Sequence, residues 1–346
     1  MNIQRIRVED SRTKYFEAMW EIPEGISYNA YLLETDEGWI LFDTVKREFA
    51  GEFVQKLGID PSEIKMVVVH HAEPDHTGAI PELLRLNPEI EIVGHPLVKG
   101  MLESFYGIKF KFRPVKDGDR VGPVQFIHTP WLHWPETIMS YLPDGTLLSC
   151  DAFGSFSLKK EIDEEYLFYA KKYFVSIIGK YRQFVLRAID RLQGMKIRRI
   201  LPSHGLGWED PSRIIDLYRE WAEARPSGGG LLIYSTMYGI TEPAILDLIG
   251  SGRGVKIHRM NDRKTVNYAE VLADANNAGE IVIGSQTYEN GLFPPMKYLL
   301  ELMAEKLPPR KVKVLLGYGW AGTAEAQVRE ILKGWDLEVK KVRGRG

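Results

Sequence analysis

Short apolar runs that stop abruptly at polar turns dominate the chain up to about residue 205. YNAYLLET, GWILFDT, KMVVVHH, EIEIVGH, PVQFIHT, TLLSCD and RRILPSH are rich in β-branched and aromatic residues, and each reads as a strand. Helical spacing of apolar positions occurs near Pro81 to Leu86 and from Tyr166 to Leu192. Beyond residue 230 the rhythm changes. LLIYS, VKIHRM, EIVIGS, VKVLLGYG and LEVKKV alternate with helix-like stretches, the pattern of a doubly wound parallel sheet. Between the two regions Pro226 ends the helical pattern of DPSRIIDLYREWAEA, and Gly228, Gly229 and Gly230 read as a flexible joint. The expectation is two α/β domains, residues 1–226 and residues 231–346, with no internal repeat or low-complexity tract.

Composition narrows the function. A chain of 346 residues can bury two cores. A net charge of -2 with both signs interspersed lacks the footprint of a nucleic-acid binder; only the tail KKVRGRG is locally basic. The charged amino terminus MNIQRIRVED and the lack of any long apolar run point to a cytoplasmic protein with no membrane association. Cys150 is the single cysteine, so the chain holds no disulfide, cysteine-ligated zinc, iron-sulfur cluster or rubredoxin-type iron of its own. Any redox role must use a bound organic cofactor or a metal held by His and carboxylates.

Candidate metal ligands follow the apolar run KMVVVHH. In MVVVHHAEPDHTG, the side chains of His71, Glu73, Asp75 and His76 leave the end of a buried strand within six residues. Loops at strand ends are where ligands bind in layered α/β folds. His133 in TPWLHWPE, Asp151 closing TLLSCD and His204 in PSHG occupy the same kind of position. Seven ligands suit two metal ions better than one, with Asp151 as a carboxylate that can offer one oxygen to each. His70, His95, His128 and His258 also lie in or beside strands, and are read as hydrogen-bonded structural residues. Trp131, Trp134 and the aromatic run from Tyr166 to Tyr181 read first as packing, and Cys150 as a buried filler.

The second region carries its own signal, LLIYSTMYGITEPAI. Strand, hydroxyl-rich turn and helix follow in order, so Ser235, Thr236 and Thr241, backbone N–H groups and the helix N-terminus can hold a phosphate. It has neither the lysine of a triphosphate loop nor the glycine pattern of a dinucleotide site. It is similar to the flavodoxin loop that holds the monophosphate of FMN. Two further loops, GSQTYENGLFPP and GYGWAG, bring aromatic rings and glycines to the same rim, which suits an isoalloxazine ring.

Taken together, the H-x-E-x-D-H string, the later His, Asp and His, and strings such as GISYNAYLLET, LHWPE, DAFG and AKKYFVSIIGKY resemble the flavodiiron proteins over almost the whole chain. That resemblance implies a metallo-β-lactamase-like αββα sandwich followed by a flavodoxin-like domain. It implies iron on His71, Glu73 and His133, a second iron on Asp75, His76 and His204, and Asp151 bridging. Zinc hydrolases of the same fold usually place a second His where Glu73 stands, and an anionic oxygen there favours iron. The resemblance assigns FMN to Ser235, Thr236, Met237, Tyr238, Gly239, Ile240 and Thr241, to Ser285, Gln286, Thr287, Tyr288, Asn290 and Gly291, and to Tyr318, Gly319, Trp320 and Ala321. Ile240 and Gln286 depart from the commoner flavodoxin forms.

The implied activity is reduction of dioxygen to water, of nitric oxide to nitrous oxide, or of both. Electrons would come through FMN from an external donor such as rubredoxin or a reduced deazaflavin. A head-to-tail homodimer or a dimer of dimers is implied, and with no helix after LEVKKV part of the second sheet would need cover from elsewhere. Two alternatives stay open on the residues alone: a dizinc hydrolase with an appended flavodoxin-like module, and a flavoprotein electron carrier.

Overall fold

The computed structural model describes residues 1–249, 254–260 and 266–344. The last two residues of the basic tail therefore lie outside the described residues. The chain divides into two compact units, Met1–Ala222 and Glu223–Gly346.

The first unit is built on two sheets. One runs in the order Ile3–Asp10, Ile26–Thr35, Gly38–Phe42, Ile64–Val69, Glu91–Gly94, Lys111–Pro114. Its first three strands are antiparallel neighbours, and from Gly38–Phe42 onward the pairing is parallel. The other runs Arg199–Pro202, Thr146–Cys150, Ile138–Tyr141, Val124–His128, Arg120–Val121, with only the first pair parallel. Alternate residues of both sheets meet in one core: Tyr31, Leu33, Ile40, Phe42, Val68 and Val93 from the first, Val124, Phe126, Ile138 and Leu148 from the second. This period of two is what a sandwich requires of its inner faces. Val67, Val68 and Val69 are all buried, so both faces of that strand are covered, as the unbroken apolar run predicts.

Several elements differ from the sequence reading. The charged amino terminus forms the strand Ile3–Asp10, because Ile6, Val8 and Asp10 alternate inward while the polar residues between them stay outside. The helix expected from Tyr166 to Leu192 is not continuous. It runs as Glu164–Tyr173, one π-helical turn Phe174–Ile178, a short 3-10 turn and Arg182–Leu192.

The second unit is a five-stranded parallel sheet in the order Lys256–Arg259, Gly230–Tyr234, Glu280–Tyr288, Lys311–Tyr318, Asp336–Arg343. Numbered along the chain this is 2-1-3-4-5, the flavodoxin-like arrangement, and its core gathers Leu232, Tyr234, Ile245, Val282 and Leu315. GSQTYENGLFPP is not a simple loop. The strand continues to Tyr288, turns at Glu289 and Asn290, both with positive φ, and returns as Gly291–Leu292.

The glycine joint is likewise fastened to the second unit. The Arg310 guanidinium donates to the carbonyls of Ala224, Ala275, Asn276 and Ala278 at 2.7, 3.0, 2.9 and 3.3 Å. Asn277 donates to the Arg225 carbonyl, and Ser227 N–H to the Asn277 carbonyl. A Cβ on Gly229 would lie 2.2 Å from the Gly254 oxygen, so this glycine permits close backbone packing and does not supply slack. Among the described residues, no helix is long and apolar enough to cross a membrane.

Candidate metal centre and flavin pocket

Four loops at strand ends deliver the metal-competent side chains. His71, Glu73, Asp75 and His76 follow Ile64–Val69; His133 follows Val124–His128; Asp151 follows Thr146–Cys150; His204 follows Arg199–Pro202. The structure brings all seven together in two groups. Glu73 Oε2 lies 3.0 Å from His71 Nε2 and 3.0 Å from His133 Nε2, with Asp151 Oδ2 at 3.2 Å from His133 and 3.6 Å from His71. Asp151 Oδ1 lies 3.0 Å from His76 Nε2 and 3.1 Å from His204 Nε2, with Asp75 oxygens at 3.5 Å from each. One carboxylate thus turns one oxygen to each group.

These short separations are not all hydrogen bonds. His76 Nε2, His204 Nε2, both Asp75 oxygens and Asp151 Oδ1 are buried with no hydrogen-bond partner among the described residues. Buried polar atoms rarely stay unpaired, and a cation between them satisfies several at once. The donor atoms of His71, Glu73, His133 and Asp151 all lie within 4.8 Å of one another, as do those of Asp75, His76 and His204. Imidazole nitrogens and carboxylate oxygens at this spacing fit a transition metal.

Charge is already arranged for such an ion. Burial alone would push the Asp151 carboxyl up, yet the facing His76, His133 and His204 hold it well below the usual carboxylate range. Glu73 is lowered against its burial by His133 and His71. Asp75 is raised, with burial outweighing its histidine neighbours. Burial would lower His133, but Asp151 and Glu73 raise it to about 10; His76 is also raised, by Asp75 and Asp151. In the metal-free form, stability from His133 is fully present below about pH 6.5 and is lost as pH rises through about 10. Stability from Asp151 and Glu73 has the opposite sign: it is present above their ordinary range and lost as pH falls through their lowered values. Protons therefore occupy His76 and His133 at pH 7 where a metal would sit. Metal uptake at pH 7 is expected to release protons, and calorimetry in buffers of different ionisation enthalpy measures the number; zero release would contradict this electrostatic picture.

Two acids that the sequence reading passed over hold the loops in place. Glu136, fully buried, accepts from His71 Nδ1 and from Ala72 N–H, each at 3.0 Å. Asp43, at φ 54°, meets His70 Nδ1 at 2.7 Å and accepts from His70 N–H at 2.8 Å, while His70 Nε2 meets Ser140 Oγ at 2.8 Å. Two loops and the strand Ile138–Tyr141 are pinned by that chain, so His70 is structural. His95 and His128 stack on each other, and His258 pairs with Asp274. His204 Nδ1 faces the Ser27 carbonyl at 2.9 Å, and its ring is packed edge-on by Phe16 and Tyr28. Cys150 is buried beside the cluster, and burial raises its thiol well above the usual range. Trp134 sits edge-on to His71, but Trp131 is not core: it stacks on Tyr181 at the surface, 36% exposed.

In the second unit a pocket of 230 Å³ opens at the carboxyl ends of Gly230–Tyr234, Glu280–Tyr288 and Lys311–Tyr318, the switch point of the sheet. Of the residues assigned to flavin, Thr236, Met237, Tyr238, Ile240, Thr241, Gln286, Thr287, Tyr318, Gly319 and Trp320 line it. Ser235 and Ser285 lie beneath, buried, with hydroxyls 3.2 Å apart. Gly239, Tyr288, Asn290, Gly291 and Ala321 do not line it; Asn290 and Gly291 lie in the hairpin, which leans on Thr323 and Gln327. Gly317 and Gly344 do line it and were not in the assignment. A larger cavity of 510 Å³ near Arg5 and Arg199 has, among the described residues, no metal-competent cluster in its lining.

A sandwich with a two-group His/carboxylate cluster, followed by a 2-1-3-4-5 sheet with an aromatic pocket at its switch point, defines a metallo-β-lactamase-like unit joined to a flavodoxin-like one. Residues 26–205 match the family model described as ODP family beta lactamase. The chain is 32% identical to the nitric oxide reductase of Moorella thermoacetica over 95% of its own length and 88% of that protein's. It is 31% identical to the rubredoxin-oxygen oxidoreductase of Megalodesulfovibrio gigas, covering 92% and 84%. A mutant flavo di-iron protein from Thermotoga maritima superimposes with a TM-score of 0.92 at 36% identity, covering 99% of this chain and 91% of that one. The chain belongs to the flavodiiron protein family.

Proposed function

We propose that this chain is a flavodiiron oxidoreductase that reduces dioxygen to water, nitric oxide to nitrous oxide, or both, with two iron ions in the first unit and FMN in the second. The observation that carries this reading is Asp151, whose two oxygens face two separate groups of imidazoles and carboxylates. His71, Glu73 and His133 would hold one iron and Asp75, His76 and His204 the other. When bound, a ferrous pair and reduced FMN supply two electrons each, matching the four that dioxygen needs and exceeding the two consumed when two nitric oxide molecules form nitrous oxide and water.

The residues present suit that task. Glu73, Asp75 and Asp151 bring three carboxylates, which favour iron over the softer-ligand metals and offset much of the charge of two divalent ions. Burial of every ligand except the partly exposed Glu73 keeps bulk water from the donors. In the second unit, Thr236 and Thr241 line the pocket ahead of the helix Glu242–Ile249, whose start favours a phosphate, and Trp320, 78% exposed, offers a ring face. The names of the relatives support a rubredoxin-type donor, and a reduced deazaflavin is the other donor class in this reading. A cytoplasmic homodimer, in which each flavin serves the metal pair of the partner, completes it.

Metal analysis and a visible spectrum of the purified protein, then stopped-flow oxidation of the reduced protein by each gas, test the proposal. Two irons and one flavin per chain, with rapid oxidation by at least one gas, are expected; zinc without flavin would instead support the hydrolase, and flavin without metal the carrier. A second expected outcome concerns the pocket floor. A Cβ on Gly317 would lie 2.2 Å from Thr241 Cγ2, so Gly317→Ala must displace Thr241, which lines the pocket beside it. FMN affinity should fall by about tenfold or more, the equivalent of a ~1.4 kcal/mol overpacking cost, measured by flavin fluorescence quenching. Unchanged affinity would remove Thr241 from the binding site.

A further inference from the structure

The strand Ile26–Thr35 carries Ser27, Asn29 and Tyr31 at alternate positions, so these three side chains stand on one face. All three are buried, and each meets the loop that bears His204. Asn29 Nδ2 donates to the Pro202 carbonyl at 3.0 Å and to the Gly205 carbonyl at 2.9 Å, so one amide spans Ser203 and His204 between them. Its backbone N–H donates to the Ser203 carbonyl at 2.8 Å. Tyr31 Oη donates to the Pro202 carbonyl at 2.7 Å, and Ser27 Oγ accepts from Gly205 N–H at 3.0 Å. These partners fix which way the Asn29 amide points: turned over, its oxygen would face two carbonyl oxygens.

The strand that delivers His204 cannot hold this loop. Arg199–Pro202 lies at the edge of its sheet, with Thr146–Cys150 as its one strand neighbour among the described residues, and its last residue, Pro202, has no N–H to give. Gly205 then turns at φ 81°, where a Cβ would lie 2.5 Å from Tyr166 Oη, so the chain bends sharply just after the ligand. His204 Nε2 stands 3.1 Å from Asp151 Oδ1 and 3.5 Å from Asp75 Oδ2, and a metal site needs its donors held within about 0.5 Å. Resting on the diiron reading above, we propose that Asn29 is a positioning residue whose side chain clamps the turn that points His204 at its metal. The position among Asp75, His76 and His204 depends on that clamp. The other position does not, because His71, Glu73 and His133 come from other loops and keep Asp151 Oδ2 when the clamp is lost. In the sequence the signal is an amide in the middle of the apolar run ISYNAYLL, where a buried donor must find a partner.

The test is Co²⁺ loading of the metal-stripped, FMN-containing protein against a competing chelator, with the positions read by cobalt anomalous scattering from crystals. Wild type should take two ions. Asn29→Asp is nearly isosteric but turns a carboxylate toward the Pro202 and Gly205 carbonyls. It should weaken the ion among Asp75, His76 and His204 by about tenfold or more and leave the ion among His71, Glu73 and His133 in place. Asn29→Ala, which removes the clamp without adding charge, should show the same selective loss. Asn87→Asp separates positioning from stability, because Asn87 Nδ2 donates to the carbonyls of Pro61 and Ile64 at 3.1 Å each, in a segment that bears no ligand; it should keep both ions. Equal loss of both ions in the Asn29 variants, no loss of either, or the same selective loss in Asn87→Asp would overturn the proposal. One measurement needs no substitution: in ¹⁵N-labelled wild type the Asn29 side-chain amide should exchange with solvent as slowly as the strand amides around it, and exchange at the rate of an exposed amide would overturn the clamp. Failure of the underlying reading looks different, since wild type itself would then saturate at one ion or none.

Discussion

Asp151→Asn is expected to empty both metal positions at once while leaving the second unit loaded with FMN. Asp151 is buried, and among the described residues it is the one side chain whose oxygens approach His76 and His204 on one side and His133 and His71 on the other. The amide keeps one acceptor and turns an N–H pair toward imidazoles or the metal, so one position loses its oxygen donor and both lose the shared negative charge. Loss of a residue behind a ligand typically costs about 10- to 100-fold in metal affinity, and loss of a bridging ligand should exceed that range at both positions. Gas consumption should disappear with the metal. The pocket around Thr241 and Tyr318 lies in a unit with its own core, so flavin content should be unchanged. Elemental analysis and absorbance on one sample check both halves; a variant that retains two ions would remove Asp151 as the bridge.

Glu73→His should change which metal is kept. Glu73 Oε2 stands 3.0 Å from both His71 and His133, so it faces the place an ion would take. Replacing it with imidazole removes one negative charge and a hard donor, giving the set that zinc hydrolases of this fold use. Iron loading should weaken and turnover should be lost, with zinc retained at the altered position and FMN still bound. Competitive loading with equal iron and zinc reads the change directly. Undiminished gas consumption, or loss of flavin, would contradict the role given to Glu73.

What could be read in the sequence followed from local rules. A β-branched run such as MVVV is a buried strand whatever surrounds it, so the loop it delivers was identifiable as a strand-end loop, and His71, Glu73, Asp75 and His76 with it. His133, Asp151 and His204 could be found because each also ends an apolar run. Glu136 and Asp43 could not be found that way. An acid that supports a histidine from another loop obeys no spacing, since its partner is 65 residues away in one case and 27 in the other. The pocket shows the same limit. Thr236 and Thr241 belong to a local strand–turn–helix pattern, whereas Gly317 is needed because Thr241 packs against it from a distant segment. Turn chemistry misled where tertiary pairing prevailed: SQTY continues as strand because Lys311–Tyr318 pairs beside it, and the glycines before residue 231 are held by Arg310 and Asn277.

The central claim is a pair of iron positions divided by one carboxylate, and it is tested most directly in crystals of the iron-loaded protein by anomalous scattering on the two sides of the iron edge. Two iron peaks per chain are expected, one among His71, Glu73 and His133 and one among Asp75, His76 and His204, with Asp151 between them. A single peak, or density at those positions that does not respond to the iron edge, would contradict the account.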